Sequence, residues 1–424
     1  MRRTIVHVVV LLILTIVAAR ASADELLSRV ITLSEQVTPN VVQWRREIHT
    51  HPELPNREVR TAALVAEQLK ALGVDEVRPG VAHTGVVALI RGRLPGRTVA
   101  LRADMDALPI EEQTGLPFAS QTKGVMHACG HDAHTAILLG AAYVLVQLRD
   151  RLPGNVKLLF QPAEEGAPAG EEGGARLMIK EGALQNPDVA AIFALHINPE
   201  QATGRFSYRD GVLLASVDRF RIRVIGKQSH GAQPWLGVDP VVASAHIITA
   251  LQTIASRHID ARQPVVVSVG AVRALGAWNV IPGEVALEGT VRTHDNAVRQ
   301  QVSQLFQRIV QDTAAAHGVT AEIDYSDYGP VLSNDAALGV QVRASLASLV
   351  GAENLAESVP GMGGEDFAHY VSRVPGYYIF LGVRNETIRA VRPLHTPDMI
   401  LDEAALPFGI RAMAMMALDY LRGQ

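Results

Sequence analysis

A chain of 424 residues, 48% of them hydrophobic and 19% charged, carries enough apolar material for more than one buried core. Its formal net charge of −4, with both signs interspersed, excludes the basic stripe of a nucleic-acid-binding surface and the polybasic patch of a membrane-surface protein, so no nucleic-acid partner is expected. A single cysteine, Cys129, excludes an intrachain disulfide.

At the N-terminus, Arg2 and Arg3 precede the apolar stretch Ile5–Ala19, and Ala21-Ser22-Ala23 supplies the small-x-small pattern of a signal-peptidase site. Residues 1–23 therefore read as a signal peptide and Asp24 as the mature start. The run is shorter than the ~20 residues that span a bilayer, so an uncleaved anchor is the weaker alternative. The expected product is exported, periplasmic or secreted, with no stable membrane association after cleavage. In an oxidising compartment Cys129 is a free thiol, an intermolecular bridge or a ligand.

Next come two amphipathic helices, Leu26–His49 with a break at Pro39 and Val59–Leu72. Apolar strands follow at Gly85–Ile90 and Thr98–Ala103, with turn chemistry in Gly92-Arg93-Leu94-Pro95-Gly96 between them. Thr135–Leu148 reads as a helix, Val156–Gln161 as a strand, Gly174–Lys180 as a helix and Ala190–His196 as a strand. From Ser216 the rhythm becomes βαββαβ, the ferredoxin-like order: strand Val217–Ile225, helix Pro240–His258, strands Val265–Val272 and Val285–Thr293, helix Asn296–Ala315 and strand Thr320–Tyr325. The first rhythm then resumes with helix Asp335–Leu349, strand Tyr377–Gly382 and helix Glu403–Leu421. The expected fold is α/β, a mostly parallel mixed sheet flanked by helices over residues 24–213 and 327–424, interrupted by a ferredoxin-like domain over residues 214–326.

The chemistry gathers in a few motifs. Cys129 and His131 stand two apart around Gly130, so a tightly turned backbone aims both at one point. A thiolate with an imidazole suits Zn²⁺ or another late first-row cation better than Ca²⁺ or Mg²⁺, while a buried inert thiol is the plain alternative. Gln161-Pro162-Ala163-Glu164-Glu165-Gly166 sets two carboxylates in a turn at a strand end. Adjacent side chains diverge, so one can bind metal while the other serves as general base, although Glu171 and Glu172 show that acidic loops also occur here. His196 closes a strand and His395 sits in the rigid Pro393-Leu394-His395-Thr396-Pro397 loop. Each alone reads as an ordinary histidine, but strand ends of an open α/β sheet converge on one crevice.

In order and spacing, His-Ala-Cys-Gly-His-Asp-Ala-His-Thr, Gln-Pro-Ala-Glu-Glu-Gly, the strand-end His196, Gly-Gly-Glu-Asp-Phe (Gly363–Phe367) and Leu-His-Thr-Pro resemble the aminoacylase/hippurate hydrolase family of dinuclear metal amidohydrolases. The branch is that of the indole-acetyl-amino-acid hydrolases, and the resemblance covers essentially the whole mature chain. It implies hydrolysis of the amide bond of an N-acyl amino acid by two divalent ions, Zn or Mn foremost, with Co or Ni as alternatives. Cys129, His131, Glu165, His196 and His395 would be the ligands and Glu164 the general base for a water shared by cations about 3.5–4 Å apart.

By the same resemblance, Asp106 would fill a supporting or structural place near the site; Asp104 also reads as support, since acids after a buried strand often bond backbone or a neighbouring histidine, while His127 and His134 match no ligand position and read as structural. His230, in Gly226-Lys227-Gln228-Ser229-His230-Gly231, would stabilise the oxyanion from the partner subunit of a homodimer formed through the inserted lid domain; a plain turn residue is the alternative. Asn279 would help hold substrate. Gln228-Ser229 stand where the family often has glycines and Trp235 follows the proline, which leaves lid shape and substrate fit open. Gly363 and Gly364 either offer amides to a substrate carboxylate or form a flexible helix start. The competing functions are a metallo-carboxypeptidase or dipeptidase acting on short peptides, and a noncatalytic exported binding protein on the same scaffold.

Overall fold

In the computed structural model, helix α1 (Arg2–Thr50) presents Leu26, Val30, Leu33, Val37, Val41, Trp44 and Ile48 as one buried stripe. The structure describes residues 2–423, with side chains from residue 24 onward, so the expected signal peptide, residues 1–23, falls outside the residues so described. The break expected at Pro39 does not occur, and α1 continues through it. An interior proline costs about 3 kcal/mol, but each large apolar side chain buried on either side returns about 1.5–3 kcal/mol. Leu33, Val37, Val41 and Trp44 outweigh the missing bond.

The chain continues with α2 (Val59–Ala71), β1 (Glu76–Val81), β2 (Gly85–Arg91), β3 (Leu94–Asp104), α3 (His131–Gln147), β4 (Pro153–Gln161), α4 (Gly174–Lys180), β5 (Val189–Ala202) and β6 (Phe206–Tyr208). Then come β7 (Ser216–Ile225), α5 (Pro240–Leu251), β8 (Val265–Ala274), β9 (Glu284–Thr293), α6 (Asn296–Ala316) and β10 (Thr320–Gly329). The last part holds α7 (Ala336–Val350), β11 (Leu355–Glu357), β12 (Gly376–Arg384) and α8 (Leu406–Arg422). Aspartates punctuate the helices: Asp239, Asp295 and Asp335 cap α5, α6 and α7 by accepting from the second and third backbone amides. The predicted helix over 240–258 stops at Leu251, and a π turn over Ile254–His258 carries Ile254 and Ile259 into the core instead.

Two compact units result: Met1–Arg209 with Asn334–Ser358 and Arg373–Gln424, and Asp210–Ser333 with Val359–Ser372. The first holds an eight-stranded mixed sheet in the order β1-β2-β4-β3-β5-β12-β6-β11. Its centre, β4-β3-β5-β12, is parallel, and β2 runs antiparallel to β4. The Gly92–Gly96 stretch therefore does not turn one strand onto its neighbour, because β4 lies between β2 and β3. α1, α3 and α8 pack on one another, and α8 also meets β3. Fourteen of the residues of α3 are buried, so this helix has no polar face to announce it by period.

The second unit is a four-stranded antiparallel sheet in the order β8-β9-β7-β10, with α5 and α6 packed on it. Phe220, Ile222 and Val224 alternate inward along β7 against Ile247, Leu287, Phe306 and Val310. The outward residues Arg219, Arg221 and Arg223 pair with Glu284, Glu288 and Glu322. The segment Val359–Ser372, including Gly363 and Gly364, groups with this unit, although its sequence position falls in the stretch expected to belong to the first domain. Hydrogen bonds hold it there: Gly361 donates to Leu213 O, Gly363 O accepts from Ala215, and Gly361 O is bonded by His294.

Candidate metal centre

Strand register assembles the first unit's site. β3 pairs Asp104 with Gln161 of β4 and Arg102 with Ala194 of β5, so Asp104, Gln161 and His196 reach the same level at the carboxyl ends of parallel strands. His196 was expected to end its strand, but β5 runs on to Ala202 beside β12. What stops at that level is β3, and its end opens the crevice into which His196 faces.

The segment before α3 delivers Cys129 and His131. Gly130 caps the helix in the left-handed region at φ 87°, and a side chain there would overlap Ile197, so glycine answers both the backbone angle and the close approach. His395, at φ 61°, is tied to this segment by its amide, which donates to Ala128 O at 2.8 Å.

Five expected ligands meet as two trios. Cys129, His131 and His196 form one, Cys129, Glu165 and His395 the other, with donor atoms in each within 4.8 Å of one another. The thiol belongs to both: Cys129 Sγ lies 3.3 Å from His196 Nε2 and 3.3 Å from His395 Nε2. Glu165 Oε1 is 3.1 Å from His395 Nε2. Glu164, the expected base, reaches within 3.8 Å of His131 Nε2 and joins His131 and Glu165 in a further cluster.

The donors fit divalent cations. His131 Nδ1 is bonded to Asp106 Oδ1 at 3.2 Å, while its Nε2 is buried with no hydrogen-bond partner, the state of a nitrogen that awaits a Lewis acid. His196 likewise engages Ile197 O through Nδ1 at 2.7 Å, leaving Nε2 for the centre. Burial pushes the Cys129 thiol up, and hydrogen bonds to Cys129 and Glu165 hold His395 at about 10. Burial opposes charge on His131, yet Asp104, Cys129 and Asp106 keep it well above the usual imidazole range. Cations displace such protons and leave a thiolate and neutral imidazoles.

Supporting residues sit behind the donors. Asp106 takes the Glu165 amide on Oδ2 at 2.9 Å and is bonded through Oδ1 to His131. Asp104 receives Arg102 and His134, each at 2.6 Å, and His134 Nε2 accepts the Ile197 amide at 2.9 Å. His134 thus steadies the strand at His196, a role with no local sequence signal because its partners are 30 and 63 residues away. His127 is buried beside His49 and belongs to neither trio.

Glu58 is a carboxylate to which the sequence reading attaches no role. It is fully buried, accepts the amides of Asn56 at 3.0 Å and Ala163 at 2.9 Å on Oε1, and bonds the Thr84 hydroxyl through Oε2. Burial, with the charge of Asp106, raises it to about 7. The folded state therefore holds this proton more tightly than the unfolded state does, and the stability that Glu58 contributes is lost as pH rises from about 4.5 to about 7. Glu58→Gln does not titrate; its stability advantage over wild type is expected to grow across that window to on the order of 3 kcal/mol. Denaturant melts at pH 5 and pH 8 check this, and a pH-independent difference would contradict it.

In the second unit, Ser229–His230 and Val280–Ile281 form a short antiparallel pair that sets His230 beside Asn279, whose carbonyl accepts from Gly231 at 2.7 Å. A side chain at Gly231 would press on the Asn279 backbone. The Ala232 amide donates to His230 Nδ1 at 3.0 Å, which leaves the ring proton on Nε2 as an exposed donor. Gly363 and Gly364 are exposed in this same unit.

Soft and hard donors converging this way, with a further carboxylate in reach, meet the needs of hydrolysis at a metal pair, and the class is that of metal-dependent hydrolases. The profile of Peptidase family M20/M25/M40 matches residues 100–419. The chain is 41% identical over 382 residues to Thermostable carboxypeptidase 1 of Saccharolobus solfataricus, covering 90% of this chain and 95% of that one. It is 45% identical over 306 residues to the N-acyl-L-amino acid amidohydrolase of Geobacillus stearothermophilus, covering 72% and 80%. The solved structure of the Bacillus subtilis YXEP protein, a dinuclear metal binding peptidase from the M20 family, matches with a TM-score of 0.78 at 37% identity, over 92% of this chain and 99% of that one. The chain belongs to peptidase family M20/M25/M40, as a metal-dependent amidohydrolase or peptidase.

Proposed function

We propose that this protein hydrolyses the amide bond of N-acyl amino acids, with Cys129, His131, Glu165, His196 and His395 holding two divalent cations and Glu164 acting as general base. The observation that carries the reading is the pair of donor trios joined at Cys129 with Glu164 beside them. When bound, the cations supply Lewis acidity for the scissile carbonyl and acidify water. Glu164 takes the proton of the attacking water and passes it to the departing amine. His230, with its proton on Nε2, donates to the carbonyl oxygen as charge develops there, and Asn279 helps hold the substrate. Zn or Mn is the proposed metal, because a thiolate, three imidazoles and a carboxylate form a borderline donor set.

The name of the Geobacillus relative favours acyl amino acids, and that of the Saccharolobus relative favours a second reading, carboxypeptidase action on short peptides. A panel of N-acetyl, N-benzoyl and indole-acetyl amino acids beside dipeptides, assayed on metal-analysed protein, separates the two. Faster turnover of the acyl amino acids is expected, and cleavage of dipeptides alone would overturn the first reading. Substrate bound but never cleaved would favour a binding protein.

The proposal includes export after removal of residues 1–23 and a homodimer through the second unit. Dimerisation is supported by Leu275, Trp278, Trp235 and Leu236, large apolar side chains left exposed there. Light scattering is expected to give twice the chain mass, with Trp278→Glu shifting the protein to monomer; a monomeric wild type would end this part of the proposal.

A further inference from the structure

The turn that carries Glu164 is held from both sides by buried carboxylates. Ala163, immediately before it, sits in the left-handed region at φ 53°, a conformation that costs an alanine about 1 kcal/mol and persists only where its surroundings enforce it. Its amide is taken by Glu58 at 2.9 Å, while the amide of Glu165, immediately after, is taken by Asp106 at 2.9 Å. Pro162 has no amide to offer, so the amide that Glu58 takes is the first after strand β4 ends at Gln161. Glu58 is in turn anchored by the Asn56 amide and by Thr84, on two segments that supply none of the proposed ligands.

We infer that Glu58 is a positioning residue for the base: it clamps the Ala163 amide and so aims Glu164, while Asp106 independently keeps Glu165 on the metals. Without Glu58 the Ala163 amide loses its buried acceptor and the alanine is free to leave the left-handed region. The displacement falls on Glu164, because the Glu165 amide remains fastened to Asp106. Among the described residues, Glu58 belongs to none of the donor clusters.

This inference rests on the reading of Glu164 as general base, and the two are tested separately by kinetics and metal analysis of the holoenzyme. Glu58→Ala is expected to retain the wild-type metal content and to lower kcat about 10- to 100-fold, the scale of an ångström-sized misplacement. KM is expected to stay within roughly threefold of wild type. Glu58→Gln, whose side-chain oxygen still accepts the Ala163 amide, is expected to recover most of the loss. In a Glu164→Ala background, Glu58→Ala is expected to have almost no further effect, since its influence travels through the missing side chain. Should Glu58→Ala fail to fold, Glu58→Leu fills the volume without the acceptor and carries the same expectations. Wild-type kcat, loss of metal in step with activity, failure of Glu58→Gln to recover activity, or an undiminished further loss in the Glu164→Ala background would each overturn the inference. Full activity of Glu164→Ala alone would instead strike the base assignment.

Discussion

Glu164→Ala is expected to purify with its full metal content and to turn over about 10³-fold more slowly than wild type, the middle of the range for a lost general acid–base group. Metal retention follows from the two trios, Cys129 with His131 and His196, and Cys129 with Glu165 and His395, neither of which needs Glu164. The rate loss follows from proton bookkeeping: water must give up a proton on attack, and the amine must gain one to leave. One carboxylate beside the centre can do both in sequence. Glu164→Gln keeps the shape and loses the basicity, so it is expected to fall nearly as far. Glu164→Asp withdraws the carboxylate by one methylene and is expected to lie between them. Single-turnover kinetics beside metal analysis decide the matter. Turnover near that of wild type in Glu164→Ala, with metals in place, removes Glu164 from the mechanism.

Cys129→Ala has the second large effect, for a different reason. Its sulfur stands 3.3 Å from imidazole nitrogens of both trios, so one substitution leaves each trio with two donors. Loss of most bound metal is expected, with activity falling by about 10²-fold or more, since two donors hold a late first-row cation poorly. Cobalt-loaded wild type is expected to show thiolate-to-metal charge transfer that Cys129→Ser lacks. Glu164→Ala is expected to spare the metals and Cys129→Ala is not, so the two variants separate proton transfer from metal retention. A Cys129→Ala protein with wild-type metal content and rate would make the thiol a bystander.

Most elements were legible because their signals are local. Period-2 alternation along residues 217–225 states a strand directly. β1 escaped because Glu76-Val77-Arg78-Pro79 offers a single half-buried apolar residue among exposed ones and no apolar run, and β6 and β11 are only three residues long. Pro39 misled because its local cost is visible in sequence, while the packing that outweighs it is not.

The sequence alone determined which donors exist: a thiol, imidazoles and paired carboxylates in motifs of a few residues, whose chemistry belongs to the side chains themselves. Tertiary structure decided which of them come within reach of one another, since His395 meets Cys129 across 266 positions and only strand register and the Ala128 contact bring them together. It also decided that Glu58, 105 positions from Ala163, would accept the amide just before Glu164. A single hydrogen bond between remote segments depends on the whole packed core that holds both ends in place, and no short stretch of residues contains that information.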